Sequence, residues 1–184
     1  MRALYALRVA AAATVLAGLA GCTHKSAAAP IPPPAPTSAS PSTDPAVAAA
    51  SAEILDRFRS FRQAYDTAGL TADYKSEDLT RYLEDPLQKD VVAFMLNTKI
   101  HGAVYRGEAQ STPTISKIDL KAKTATITEC YDTTKFKLYF TKNNSPVPVP
   151  SGPRRGIIET LAKDYGGKKG WMFYKSQALT DPTC

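Results

Sequence analysis

Ile54, Phe58, Phe61, Tyr65 and Ala68 recur every three or four positions, which places them on one face of a helix opening at Pro45, with Leu55 beside them. Arg57, Arg59, Arg62 and Asp66 fall off that stripe and are expected to point elsewhere, and Gly69 suits the C-terminal cap. Ser76-Glu77-Asp78 supplies a cap and an acidic first turn for a short second helix carrying Leu79, Tyr82 and Leu83. Asp85-Pro86 reads as N-cap and first-turn proline of a third, whose stripe is Leu87, Val91, Phe94 and Met95 and whose end is Gly102.

Beyond Gly102 the period shortens. Ala103 to Ala109, Thr114 to Leu120, Thr124 to Asp132, Lys135 to Phe140, Gly156 to Asp164 and Trp171 to Leu179 are rich in β-branched and aromatic residues. Polar breaks separate them at Gln110 to Pro113, Lys121 to Lys123, Lys142 to Pro146 and Tyr165 to Gly170. Lysine and apolar residues alternate through Lys135 to Phe140, so one strand face is wet and the other covered. Helices first and a meander afterwards predict an α+β fold, three N-terminal helices packed on one face of a curved antiparallel sheet.

The chain has 184 residues, of which 43% are hydrophobic and 22% charged. That is too apolar for a wholly disordered chain, and the lack of an uncharged apolar run of about 18 residues excludes a polytopic membrane protein. Two His and three Cys leave no basis for a multi-ligand metal site, and no cofactor motif stands out.

The first residues have a different character. Arg2 and Arg8 precede the short apolar run Val9 to Leu16, and small residues follow, the marks of a cleaved signal peptide. Leu19-Ala20-Gly21-Cys22 resembles the lipobox of bacterial lipoproteins. That resemblance implies cleavage before Cys22, a diacylglycerol on its thiol, and a new amino group open to an acyl chain such as palmitate. Two or more acyl chains anchor stably where one does not. The other reading of Cys22 is a chance cysteine in an ordinary signal. Residues 27 to 42 are dense in Ala, Pro and Ser with almost nothing to bury, which predicts a disordered tether. His24 lies in it and is given no role. The expected organisation is a signal peptide at 1–21, a lipidated Cys and tether at 22–45, and a domain at 46–184 held on the extracytoplasmic face of the cell membrane.

Three helices ahead of long antiparallel strands, Glu129-Cys130-Tyr131-Asp132 in mid-sheet, a closing Gly170-Trp171-Met172-Phe173-Tyr174 strand and a terminal Cys together resemble the cone-shaped domain of nuclear transport factor 2-like proteins, as carried by small secreted lipoproteins of high-GC Gram-positive bacteria. The longer Gly166 to Gly170 loop departs from that pattern and leaves the register of the last hairpin open. Cones of this kind open on one side into a pocket, in some members catalytic, with an Asp base and a Tyr or Asp acid. Tyr105, Tyr131, Asp132 and Tyr139 are the strand residues on which such chemistry could fall, though they form no spaced motif. His101 sits at a helix end, where a cation is ordinary. Trp171 suits either a pocket lining or the core.

With Cys22 assigned to lipid, Cys130 and Cys184 remain as a pair in an oxidising compartment, either bridged or as two free thiols. A bridge closes a loop of 54 residue steps, which the chain-entropy argument rates at about 4 kcal/mol. Neither has a His or CxxC partner that would make it a nucleophile.

The formal charge of +6 is unevenly placed: residues 45–102 carry 7 Lys+Arg and 9 Asp+Glu, residues 103–184 carry 13 and 7. Lys121, Lys123, Lys135, Lys137, Arg154, Arg155, Lys168 and Lys169 fall at turns or strand edges, where they are candidates for contact with anionic lipid or wall polymer, or simply protect edges from pairing. Nucleic acid is not an expected partner. The function expected is non-catalytic binding of an envelope protein or small ligand by an anchored cone-like domain; the contrasting one is a pocket enzyme of the isomerase or hydrolase type.

Overall fold

The computed structural model describes residues 44–149, 152–179 and 184. Helix α1 (Pro45–Gly69) begins where the Asp44 side chain accepts from the Ala46 amide, with Pro45 in the first turn. Gly69 is its last helical residue, and the cap itself is Leu70 in ordinary right-handed conformation. Helix α2 (Glu77–Thr80) is one turn, capped as expected by Ser76 Oγ accepting from the Leu79 amide at 3.3 Å. Helix α3 (Leu87–Ile100) differs from expectation at its start. Pro86 follows a cis peptide bond and stands at the N-cap itself. Asp85 instead pairs with Lys89 at 2.7 Å.

Six strands follow: β1 (Ala103–Arg106), β2 (Gln110–Asp119), β3 (Thr124–Asp132), β4 (Lys137–Phe140), β5 (Arg155–Asp164) and β6 (Trp171–Ala178). They form two sheets rather than one meander. β1 pairs only with β4, and the larger antiparallel sheet runs β2-β3-β5-β6. The chain turns between β1 and β2 at Gly107, where φ is +88° and a Cβ would fall 1.8 Å from the Lys135 carbonyl oxygen. β1 therefore stops short of Ala109, and the expected break at Gln110 to Pro113 lies inside β2. Pro113 is tolerated there because β2 is an edge strand whose outward side needs no donor. In the last hairpin Asp164 pairs with Trp171, and the Tyr165 amide donates to Gly170 oxygen across the loop at 2.9 Å.

β3 alternates strictly. Ala125, Ile127 and Glu129 are buried, whereas Thr124, Thr126 and Thr128 are only partly covered. α1 lies against β2 and β1, and α3 against β1 and β6, so both long helices meet the strands that flank the larger sheet. The core between them is aromatic at its centre. Phe58 meets Phe173 edge-on, with ring centroids 5.1 Å apart at 90°, and Phe61 lies 5.9 Å from the same ring. Ile54, Leu79, Leu83 and Met95 are fully or almost fully buried around them. Phe173 also fixes the backbone: its amide donates to Tyr82 oxygen and its oxygen accepts from the Glu84 amide, both at 2.9 Å, so the Tyr82–Glu84 stretch covers part of the free edge of β6.

Phe173→Ala removes the ring that both α1 phenylalanines share and is expected to cost about 3–5 kcal/mol of unfolding free energy. Urea denaturation measures this; a loss below about 1 kcal/mol would mean the site refills and the three rings are not the keystone of the core.

Candidate functional site

The most polar part of the interior lies between the C-terminal half of α1 and the end of β3. Glu129 belongs to the inward parity of β3, and its side chain is fully buried. Arg62, one turn after Phe58, forks onto it: Nε donates to Oε2 at 3.2 Å and Nη2 to Oε1. Ser111 Oγ, across from β3 on β2, donates to Oε2 as well. The guanidinium lies over three rings, 5.2 Å from Phe58, 5.4 Å from Phe61 and 4.5 Å from Tyr131, so its charge is held by π-faces on the sides that the carboxylate does not reach. Charges buried this way are tolerated because each has a partner, not because they add much stability.

Asp66 sits one turn beyond Arg62. Burial pushes its carboxyl up from 3.8 to about 6, with Arg62, the Ala109 amide and the Tyr131 hydroxyl pulling it part of the way back. Asp66 Oδ1 and the Tyr131 hydroxyl are both sealed from solvent, and neither completes a hydrogen bond of ordinary geometry. Burial likewise holds the phenols of Tyr65, Tyr131 and Tyr105 above the usual tyrosine range, and Tyr65 bonds to Tyr105, which offsets part of the rise at Tyr105. All three tyrosines are therefore neutral donors at physiological pH.

These groups lie together but border different hollows. Asp66 borders an open cleft of about 340 Å³ with Gln63, Thr67, Glu108 and Ala109. Tyr131 borders a hollow of about 190 Å³ at the start of β5. Tyr105 borders a larger one than either, a cleft of about 540 Å³ between α3, β4 and the segment after it, reaching Val149, whose floor also includes Phe136 and Leu138. That floor is firm: Tyr105 stacks on Phe136 at 4.3 Å with planes 5° apart, and Gly69 presses from behind, where a Cβ would meet both rings at 3.1 and 3.2 Å. Asp66 and Tyr131 are thus neighbours within a wall. They do not face each other across an empty space.

Of the residues singled out in the sequence, Tyr131 and Tyr105 join this cluster. Asp132 does not: it accepts from the Thr134 amide at 2.8 Å and from the Thr134 hydroxyl, which holds its carboxyl below the usual range. Tyr139 lies in β4 opposite Val104, His101 caps α3 in an exposed position, and Trp171 is core, its carbonyl taking Arg57 Nε at 2.7 Å. Arg62 and Asp66, expected to point away from the core, turn into it: Glu129 and the rings partner the Arg62 charge, and Asp66 lies beside that cation with its carboxyl pushed up by burial. Glu129, Ser111 and Tyr65 were missed as well. A glutamate on the covered parity of β3 was the available signal.

Cys130 faces outward on β3, and its sulfur is bonded to that of Cys184 with the Cα atoms 5.8 Å apart. Cys22, the signal and the tether lie outside the described residues. The eight basic candidates fall into two groups. Lys121, Lys123, Lys168 and Lys169 share one end of the larger sheet, and Lys135, Lys137, Arg154 and Arg155 lie at the other, across the length of β3, about 26 Å at 3.3 Å per residue. Lys123 pairs with Asp164 at 3.8 Å and Lys169 with Glu84, so two of the first group are already partnered.

No protein-family profile matches the chain, and no curated protein matches it in sequence. Solved structures do. The intermembrane space region of chloroplast protein ARC6 superposes with a TM-score of 0.50 at 12% identity, over 71% of this chain and 97% of that one, which shows a shared fold. A putative dehydratase from the NTF2-like family of Streptomyces avermitilis aligns over 71% of this chain and 99% of its own at 12% identity, with a TM-score of 0.39, too low to carry an argument. Among the described residues no helix is long and apolar enough to cross a membrane, and no group of side chains is arranged to hold a metal ion.

Two outcomes follow from the buried charges. Arg62→Met strands Glu129 and is expected to cost about 3–5 kcal/mol, whereas the pair Arg62→Met with Glu129→Leu recovers most of it; equal losses in single and double variants would show that the pair is not coupled. Because the folded carboxyl of Asp66 titrates near 6 and the unfolded one near 3.8, the native state holds the proton more tightly. Stability therefore rises as pH falls from above 6 toward 4. Asp66→Asn should flatten that part of the profile, and a carboxyl titration followed by NMR with a midpoint near 4 would remove the account.

Proposed function

We propose that this chain is a lipoprotein held on the extracytoplasmic face of the cell membrane through acylated Cys22, whose domain binds a small ligand or an envelope protein without chemical turnover. The Leu19-Ala20-Gly21-Cys22 motif supports the anchor. In this reading residues 1–21 are removed, 22–45 form the spacer, and 46–184 is a cone-like domain of the nuclear transport factor 2-like kind. The observation that carries the non-catalytic reading is the separation of the buried titratable groups: Asp66, Tyr131 and Tyr105 border three different hollows, so no one hollow offers a substrate the Asp–Tyr pair that the catalytic reading needs.

The Cys130–Cys184 bond fits the same compartment, pinning the C-terminus to the outer face of β3. In this reading the tether would enter at the end of the domain bearing Lys121, Lys123, Lys168 and Lys169. α1 runs from there, where Arg57 meets Lys169 and Trp171 oxygens, to Gly69 beside Tyr105. In this reading Lys121 and Lys168, which unlike Lys123 and Lys169 form no ion pair among the described residues, would be the ones nearest anionic head groups.

A second reading, a pocket enzyme, is favoured by one observation, the half-buried Asp66 with its pKa near 6 beside a neutral tyrosine. Recovery of the protein from membranes with ligand bound, and the same ligand on Asp66→Asn in unchanged chemical form, supports binding; a ligand that wild type converts and Asp66→Asn does not would establish the enzyme.

The anchor has its own check. Intact mass of the membrane-extracted protein is expected to show diacylglycerol on Cys22, and Cys22→Ser to release the domain from the membrane. A free-thiol count on unfolded, unreduced protein should find none at Cys130 and Cys184; two reactive thiols there would refute the bridge.

A further inference from the structure

The 540 Å³ cleft has a chemistry that narrows its occupant. Its floor is an aromatic and aliphatic row: Phe94 from α3, then Tyr105, Phe136 and Leu138, with Val147 and Val149 on the far wall. Phe94 and Tyr105 ring centroids lie 6.4 Å apart and continue the Tyr105–Phe136 stack. Phe94 and Val149 are 40% and 39% exposed, among the most exposed large apolar side chains of the domain, and both border this one cleft. Apolar surface left open to water in a concave, firmly backed site is the usual signature of a ligand site, and the volume is within the ordinary range of roughly 300–1,000 Å³.

The charged side chains that border it are of one sign. Lys137 and Arg154 border the cleft together with the hydroxyl-bearing Thr133 and Thr134, and no carboxylate does. Among the described residues neither cation forms an ion pair, in contrast to Lys123 and Lys169 at the other end. Arg154 is nevertheless held in place by its backbone, its oxygen accepting from the Thr133 amide at 2.7 Å and from the Thr133 hydroxyl at 3.0 Å. Lys137 is held by the β1–β4 ladder opposite Arg106. Two cations without ion pairs, on backbone held in place at the mouth of an apolar slot, attract a molecule with an anionic head and an apolar tail.

We propose that this cleft binds a single-chain amphipathic anion, its tail along Phe94, Tyr105 and Leu138 and its carboxylate or phosphate head between Lys137 and Arg154. The proposal rests on the binding function above and names the class of ligand. The site lies at the end of β3 opposite Lys121 and Lys123.

The test uses the domain with three probes, dodecanoate below its micelle concentration and, within their aqueous solubility, the neutral dodecanol with the same tail and neutral N-phenylnaphthylamine, whose fluorescence reports an apolar site. Naphthylamine fluorescence should rise on binding and be displaced by dodecanoate at least about tenfold more effectively than by dodecanol, the worth of about one charge-assisted contact. Lys137→Gln with Arg154→Gln should reduce dodecanoate to the level of dodecanol without changing dodecanol. Lys117→Gln with Lys175→Gln, on exposed positions of β2 and β6, removes the same charge and should change neither. Val147→Trp, filling the slot, should abolish all three.

If dodecanol displaces as well as dodecanoate, or if the β2 and β6 pair matters as much as the rim pair, the ligand class is wrong while the cleft still binds. If the naphthylamine itself fails to bind a domain whose unfolding transition is intact, the binding function falls with it.

Discussion

The seat of the fold is the contact between one arginine and one glutamate. Glu129 stands on the covered side of a central strand with no water to reach it, and Arg62 is the group that makes its charge tolerable. Because the guanidinium fork has one orientation in which both nitrogens meet both oxygens, it fixes the rotation and height of α1 over β3 in a way the surrounding hydrophobic contacts do not. The same cation needs its remaining faces covered, and Phe58, Phe61 and Tyr131 supply them. The aromatic centre of the core and the polar seat are thus one arrangement, and Phe58 belongs to both, touching Phe173 on one side and Arg62 on the other.

What that arrangement costs the molecule is an interior cavity. The space that a cone-like domain could leave open between helix and sheet is filled by Arg62, Tyr65, Asp66 and Tyr131. The clefts that remain are lateral, each framed by a different pair of elements. The 540 Å³ cleft is framed by α3 and the small β1–β4 sheet, which exists as a separate sheet because Gly107 turns the chain sharply against Lys135. A strained-looking corner and a ligand-sized slot are therefore consequences of the same turn.

The apolar skeleton was legible in the sequence because it follows two periods. Ile54, Phe58 and Phe61 fix a helix face and are buried, and the β-branched and aromatic content of Thr124 to Asp132 marks what is β3. Boundaries were less legible where a residue's meaning depends on its neighbours in space. Pro113 reads as a break until β2 is known to be an edge, and Gly69 reads as a cap until Tyr105 and Phe136 are seen to need the room its missing Cβ leaves. The polar seat was not legible at all from the helix side, because Arg62 and Asp66 look like any wet flank of an amphipathic helix. Only their partners sixty and more positions away turn them inward. The basic residues show the opposite failure: sequence groups them by sign, and the strand register separates them by end.

Arg57 gives the molecule a mechanical polarity. None of residues 45–53 is buried, so tension entering through the first turns of α1 is first resisted at Ile54 and at Arg57, which grips the oxygens of Trp171 and Lys169. Load entering there is passed to the tip of the β5–β6 hairpin, about two and a half turns of helix away from Asp66 and farther still from the lateral slot. Load entering at that end of α1 thus meets the hairpin tip before it meets the far half of the domain.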